Sequence, residues 1–69
     1  MEKAEMLTPA ELTLCRDLLV SARAAALWVA TVFHNDGNIG SAARLNGIAS
    51  QIEDEIRDID RLLNAPPKP

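Results

Sequence analysis

The residues of this chain that could carry out chemistry are few, and their spacing keeps them apart. Cys15 is the only cysteine and His34 the only histidine, and both lie in one uninterrupted helical pattern. At 1.5 Å per residue the two side chains would lie about 29 Å apart along a helix, too far to form a nucleophile and base pair within one chain. We expect Cys15 to be a buried, reduced thiol and His34 to be a polar residue at a helix end. The sequence therefore predicts a protein that is not an enzyme.

A group of carboxylates near the C-terminus is the second candidate for a chemical site. It consists of Glu53, Asp54, Glu55, Asp58 and Asp60. The group lacks the alternating ligands, central glycine and final glutamate of a calcium-binding loop, and Arg57 and Arg61 lie among its members. Pairs such as Glu53 with Arg57 and Asp58 with Arg61 have the spacing of ordinary helix-surface ion pairs. We therefore expect a solvated acidic ridge without metal or cofactor. The functional alternative is that Glu53, Asp54 and Asp58 contact a basic partner protein.

The element that positions the first of these residues is a long helix, predicted at about 8–34. Thr8, Pro9 and Glu11 read as a capping box with proline in the first helical position. Leu7 and Leu12 have the spacing of a hydrophobic staple around that cap. Apolar residues then recur at alternating intervals of three and four, which is the pattern of a helix packed along one seam. The predicted stripe is Leu12, Cys15, Leu19, Ala22, Ala26, Val29 and Phe33.

A turn at 35–38 and a second helix at about 39–64 complete the predicted domain. Gly37 and its asparagine neighbours supply residues that tolerate a left-handed backbone, and Asn38 or Ser41 can cap the second helix. Residues 1–7 are expected to be a flexible lead-in, and 65–69 a proline-rich mobile tail. The second helix also carries an apolar stripe with alternating intervals of three and four. Its members are Ala42, Leu45, Ala49, Ile52, Ile56, Ile59 and Leu63.

The two stripes match each other when the second helix folds back on the first. The facing pairs run from Phe33 with Ala42 to Leu12 with Leu63. The two residue numbers of each pair add up to a nearly constant value, as an antiparallel hairpin requires. The same register sets Arg16 opposite Asp60 and Arg23 opposite Glu53. The predicted fold is therefore an all-α, antiparallel two-helix hairpin with two ion pairs along one edge.

The opposite edge of the hairpin is predicted to join a second copy. A chain of 69 residues rarely gains more than ~3–5 kcal/mol from one core, and a single cysteine excludes an intramolecular disulfide. Self-association is the remaining support, and it predicts a homodimer that forms a four-helix bundle. Trp28 fits this interface or, as the alternative, serves as an anchor for another protein. The expected dimer interface is Leu14, Leu18, Ala25, Trp28, Val32, Ile48 and Leu62.

The partner of such a dimer is expected to be a protein. The formal net charge of −3 argues against binding of nucleic acid, and the apolar segment 24–33 is half of the ~20 residues that a membrane span requires. We therefore expect a cytoplasmic protein, with Val20, Arg23 and Leu27 as a partner-binding patch that the dimer leaves uncovered. Two alternatives remain open: a small-ligand or nucleotide-binding sponge at the dimer interface, and an RNA-binding hairpin dimer with a basic stripe.

The layout also resembles a known class of proteins. The features concerned are the helix capped at Thr8, the turn at Asn35, Asp36 and Gly37, the second helix to Leu63 and the proline-rich end. In this layout the chain resembles the small phage-encoded host-takeover inhibitors, among them the anti-quorum-sensing proteins of Pseudomonas phages. The resemblance implies a compact helical dimer in the host cytoplasm. It further implies inhibition of a host transcriptional regulator through its DNA-binding domain, and of a pilus-assembly ATPase.

Overall fold

The computed structural model describes residues 7–64, which form two helices joined by a short turn. Helix α1 is Pro9–Asn35 and helix α2 is Ile39–Asn64. The ion pairs Arg16–Asp60 and Arg23–Glu53 join the two helices at both points where the sequence placed them. The all-α antiparallel hairpin is thereby confirmed. Residues 1–6 of the predicted lead-in 1–7, and the predicted tail at 65–69, lie outside the described residues.

The start of α1 is held by the predicted capping box. The backbone N–H of Glu11 donates to Oγ1 of Thr8 at 3.1 Å, and the backbone N–H of Thr8 donates to Oε1 of Glu11 at 2.9 Å. Pro9 occupies the first helical position, where its missing N–H leaves no bond unmade. Leu7 and Leu12 line one surface cavity together with Pro9. Local side chains therefore satisfy the N–H groups of Thr8 and Glu11 at this helix end.

Thr8→Ala is expected to destabilise the protein by about 1 kcal/mol, because it removes the acceptor of the Glu11 N–H. The change should lower the melting temperature by about 4–8 °C in a domain of this size. Thr31→Ala is the matched control, since Thr31 lies mid-helix and its hydroxyl donates only to the carbonyl of Leu27. Equal losses of stability for the two variants, in denaturant titrations at one protein concentration, would contradict a role of the cap.

The turn between the helices is a glycine-ended helix cap. Gly37 has φ of +86°, its N–H donates to the carbonyl of His34 at 3.0 Å, and the Asn38 N–H donates to the carbonyl of Phe33 at 2.8 Å. These two bonds define a Schellman motif, which satisfies carbonyls at the end of α1. The carbonyl of Asn38 then accepts the first bond of α2, from the Ala42 N–H. Of the two candidate caps for α2, the structure uses Asn38.

Gly37→Ala and Gly47→Ala are expected to have opposite effects on stability. Alanine at Gly37 must adopt the left-handed backbone, which costs about 1–2 kcal/mol. Gly47 lies inside α2, and a Cβ atom there meets nothing within 4 Å. Alanine at that position should stabilise the helix by about 0.5–1 kcal/mol. Urea titrations of both variants measure the change in the free energy of unfolding. A Gly37→Ala variant more stable than the wild type would contradict the cost of a side chain at this turn.

The seam between the helices follows the prediction on α2 but is shifted by one residue on α1. All members of the α2 stripe are buried or half-buried. On α1, the predicted members Cys15 and Ala22 are exposed, so the expectation of a thiol buried against α2 is wrong. Their places are taken by residues one position further along the chain. The observed α1 seam is Leu12, Arg16, Leu19, Arg23, Ala26, Ala30 and Phe33, with Val29 at its edge.

The two arginines explain this shift. Arg16 and Arg23 lay their aliphatic stems along the seam and reach carboxylates of α2 with their guanidinium groups, so each side chain is 37% exposed. The same rotation of α1 buries Ala30, which is 2% exposed. The observed rotation thus exchanges burial of Cys15 and Ala22 for two interhelical ion pairs and the burial of Ala30.

The hairpin buries little on its own. In the described part of the chain the buried hydrophobic residues are Ala30, Ala42 and Ala49, each 2% exposed. Among the same residues, no large side chain is fully buried. The exposed large hydrophobic residues are Leu7, Leu14, Leu18, Val20, Leu27, Trp28, Val32, Ile39, Ile48 and Leu62. A single hairpin therefore leaves these ten large apolar side chains exposed to water.

Candidate interaction surfaces

A second apolar seam runs along α1 on the side that the hairpin does not cover. Its residues recur at intervals of three and four, so they lie on one face of the helix. All are exposed except the half-buried Val29. Leu14 and Trp28, which are 58% and 69% exposed, lie beside this seam. The second apolar seam consists of Cys15, Leu18, Ala22, Ala25, Val29 and Val32.

The residues predicted for the dimer interface all lie on the surface. The α1 members belong to the second apolar seam or lie beside it, while Ile48 and Leu62 of α2 are 46% and 62% exposed. The predicted set omitted Cys15, Ala22 and Val29, because the sequence assigned them to the contact with α2. Their regular spacing with Leu18 and Ala25 is the signal that could have placed them on this face.

Two open cavities lie where the helices meet. One has a volume of about 390 Å³ and is lined by Leu19, Ile48, Gln51, Ile52, Asp54 and Glu55. The other has a volume of about 310 Å³ and is lined by Leu7, Pro9, Leu12, Leu62 and Leu63. Trp28 and the arginines, which a nucleotide site would use, line neither cavity. The geometry of the single chain therefore gives no support to the ligand-sponge alternative.

The opposite edge of the hairpin carries an ion-pair network. Nη1 of Arg16 lies 3.3 Å from Asp60, and Nη2 lies 3.2 Å from Asp17. The pKa of Arg16 is raised above its ordinary value by two hydrogen bonds, of which the one to Asp17 has the larger effect and the one to Asp60 the next. Nη1 of Arg23 lies 3.8 Å from Glu53. The Nε atoms of Arg16 and Arg23 are buried without a hydrogen-bond acceptor. The guanidinium groups are thus held through their terminal Nη atoms and not through Nε.

The acidic ridge is largely neutralised by arginines of the same chain. Arg57 lies 3.4 Å from Glu53 and 3.2 Å from Asp54, and Arg61 lies 2.9 Å from Asp58. The two pairs predicted from spacing are present, and the pair of Arg57 with Asp54 is an addition. All three carboxylates predicted to bind a partner therefore have an ion-pair partner within the hairpin, which weakens their attraction for a basic protein.

The predicted partner patch is narrower than its three residues suggest. Val20 and Leu27 are 43% and 39% exposed and, seven residues apart, lie on one face of α1. Arg23 lies between them but turns towards Glu53, so it belongs to the seam as much as to the surface. The structure thus presents Val20 and Leu27 as an apolar strip next to the ion-pair network.

Potential metal ligands are not brought together in residues 7–64. Within that range, no three residues of the histidine, cysteine, aspartate and glutamate types are grouped closely enough to hold a metal ion. Neither described helix combines the length and the apolar character that crossing a bilayer demands. Comparison with known proteins finds no matching family model, no matching curated protein and no matching solved structure. The apolar surfaces are therefore the functional features on which a proposal can rest.

Proposed function

We propose that this chain is a non-enzymatic protein-binding inhibitor or adaptor that works as a homodimer, with two hairpins joined in a four-helix bundle. The observation that supports the dimer is the distribution of apolar side chains. Leu14, Leu18 and Trp28 are each more than half exposed, whereas the buried hydrophobic residues of the described part are alanines. Contiguous apolar surface of this kind is typical of protein interfaces.

The size of the uncovered face agrees with a stable dimer. From Leu14 to Val32 the uncovered face of α1 is about 27 Å long, and two helices side by side are about 20 Å wide. Pairing two such faces buries about 1,100 Å² in total, above the ~1,000 Å² that a specific interface needs. Because the hairpin alone has almost no core, folding and dimerisation are expected to be one process.

The surface that remains for a partner is the strip of Val20 and Leu27 on the opposite edge. It suits a partner that inserts apolar side chains between α1 and α2, as in helix-in-groove recognition. The net charge of −3 favours approach of a basic protein over long range, while the apolar contacts supply most of the affinity. A DNA-binding domain of a host transcriptional regulator has this character. Binding there blocks its contact with DNA by occupying the same surface.

Affinity capture from a host lysate, followed by mass spectrometry, tests this function. A tagged wild-type chain should retain one protein in a stoichiometric amount, and retention should survive half-molar salt because apolar contacts are not screened. A thermal shift with nucleotides, together with the absence of any stoichiometric protein, would overturn the proposal and favour the ligand sponge.

A further inference from the structure

We infer that the occupant of the second apolar seam is the same seam of a second copy, with the two α1 helices antiparallel and the two turns at opposite ends of the bundle. The inference rests on the proposed homodimer and specifies its arrangement. It follows from a difference between the two helices. On α1 the seam is apolar throughout, whereas on α2 the corresponding flank contains just two large apolar residues. That flank is Ser41, Arg44, Ile48, Gln51, Glu55, Asp58 and Leu62.

Two hairpins can face each other in two symmetric ways, and both keep neighbouring helices antiparallel. If both turns lie at the same end, α1 of one copy faces α2 of the other. The register of the Arg16–Asp60 pair then sets Leu18 against the partner subunit's Asp58 and Val32 against the partner subunit's Arg44. At these two levels apolar side chains would thus meet charged ones, which costs free energy unless the charges find new partners.

If the turns lie at opposite ends, α1 faces α1 and the second apolar seam pairs with itself. A twofold axis near residues 23 and 24 maps each seam residue onto another. Leu18 then faces the partner subunit's Val29, and Ala22 faces the partner subunit's Ala25. The alanines at the centre permit close approach of the helices, and the larger side chains pack on either side.

The charges on α2 agree with this arrangement. Arg44 hydrogen-bonds to Ser41 but, within residues 7–64, forms no ion pair, in contrast to the other four arginines of that range. With the turns at opposite ends, α2 faces α2, and Arg44 comes within reach of the partner subunit's Asp58. The one arginine of the described part that lacks a carboxylate thus gains one across the interface.

The arrangement is tested by measuring the distance between spin labels at the two turns of the dimer. Asp36→Cys, in a Cys15→Ala background, places one nitroxide at the exposed turn of each copy. We expect a separation of about 40 Å, since each label lies some 12 residues from the axis at 1.5 Å per residue. Turns at the same end would bring the labels to about 15–20 Å, the diagonal of a bundle.

Ser50→Cys in the same background is the matched control. Ser50 is exposed and lies nearly level with the axis, so its labels should be within about 30 Å in both arrangements. A short distance for both label sites would overturn the inference and leave the dimer intact. A monomeric mass, with no dipolar signal at either site, would contradict the dimer itself and the arrangement with it.

Discussion

Leu18→Glu is expected to convert the dimer into a largely unfolded monomer. Leu18 is 61% exposed in the hairpin and belongs to the second apolar seam, so the dimer would bury two unpaired carboxylates. Each such burial costs at least ~2 kcal/mol, and the sum raises the dissociation constant about a thousandfold. Sedimentation should show the monomer mass, and circular dichroism should show loss of helix at the same protein concentration.

Ala43→Glu is the control for this variant. Ala43 is exposed on α2, away from the second apolar seam, and an acidic residue near a helix N-terminus is tolerated. The control should retain the mass and the helical content of the wild type. A Leu18→Glu chain that also remained a folded dimer would place the interface elsewhere.

Replacing Val20 and Leu27 together by glutamine is expected to abolish capture of the partner and leave the dimer intact. Burial of these two side chains against a partner is worth about 3 kcal/mol or more, so their loss should weaken binding about a hundredfold. Glutamine keeps the helix propensity and the approximate size of the side chain. The measurement is the amount of partner retained by the tagged variant relative to the wild type.

The double variant Ala43→Gln, Ser50→Gln is the matched control for partner capture. Both positions are exposed on α2, so the change adds the same two amides and leaves the apolar strip of Val20 and Leu27 on α1 intact. The control should capture the partner as the wild type does. Undiminished capture by the Val20, Leu27 variant would show that this strip is not the partner site.

The helix ends could be predicted from the sequence because local chemistry determines them. Thr8 and Glu11 satisfy each other's backbone groups whatever lies further along the chain, and Gly37 is the residue that adopts a left-handed backbone at least cost. The pairing of Arg16 with Asp60 followed from the antiparallel register alone. These features depend on a few neighbouring residues or on one geometric rule.

The rotation of α1 about its axis was harder to predict, because apolar residues surround most of that helix. Leu12 and Leu19 belong to both the predicted and the observed seam, so they do not distinguish between the two. Hydrophobicity favoured Cys15 as their neighbour, whereas the structure places Arg16 there. The signal was present in the predicted ion pair of Arg16 with Asp60, since an arginine reaches across a seam most directly from within it.

The partner surface was the least predictable feature, since it depends on a molecule outside the chain. The sequence marked Glu53, Asp54 and Asp58 as an acidic ridge, but it did not show how far Arg57 and Arg61 would neutralise it. The side-chain geometry pairs these carboxylates within the hairpin. The proposed partner contact therefore rests on Val20 and Leu27.

Sedimentation equilibrium of the wild-type chain, over a range of micromolar concentrations, tests the central proposal most directly. The proposed dimer predicts a mass of about 15 kDa, twice the 7.5 kDa of one chain, with helical content that falls together with the mass on dilution. A species of 7.5 kDa with full helical content across that range would contradict it, because the hairpin would then be stable with its second apolar seam in water.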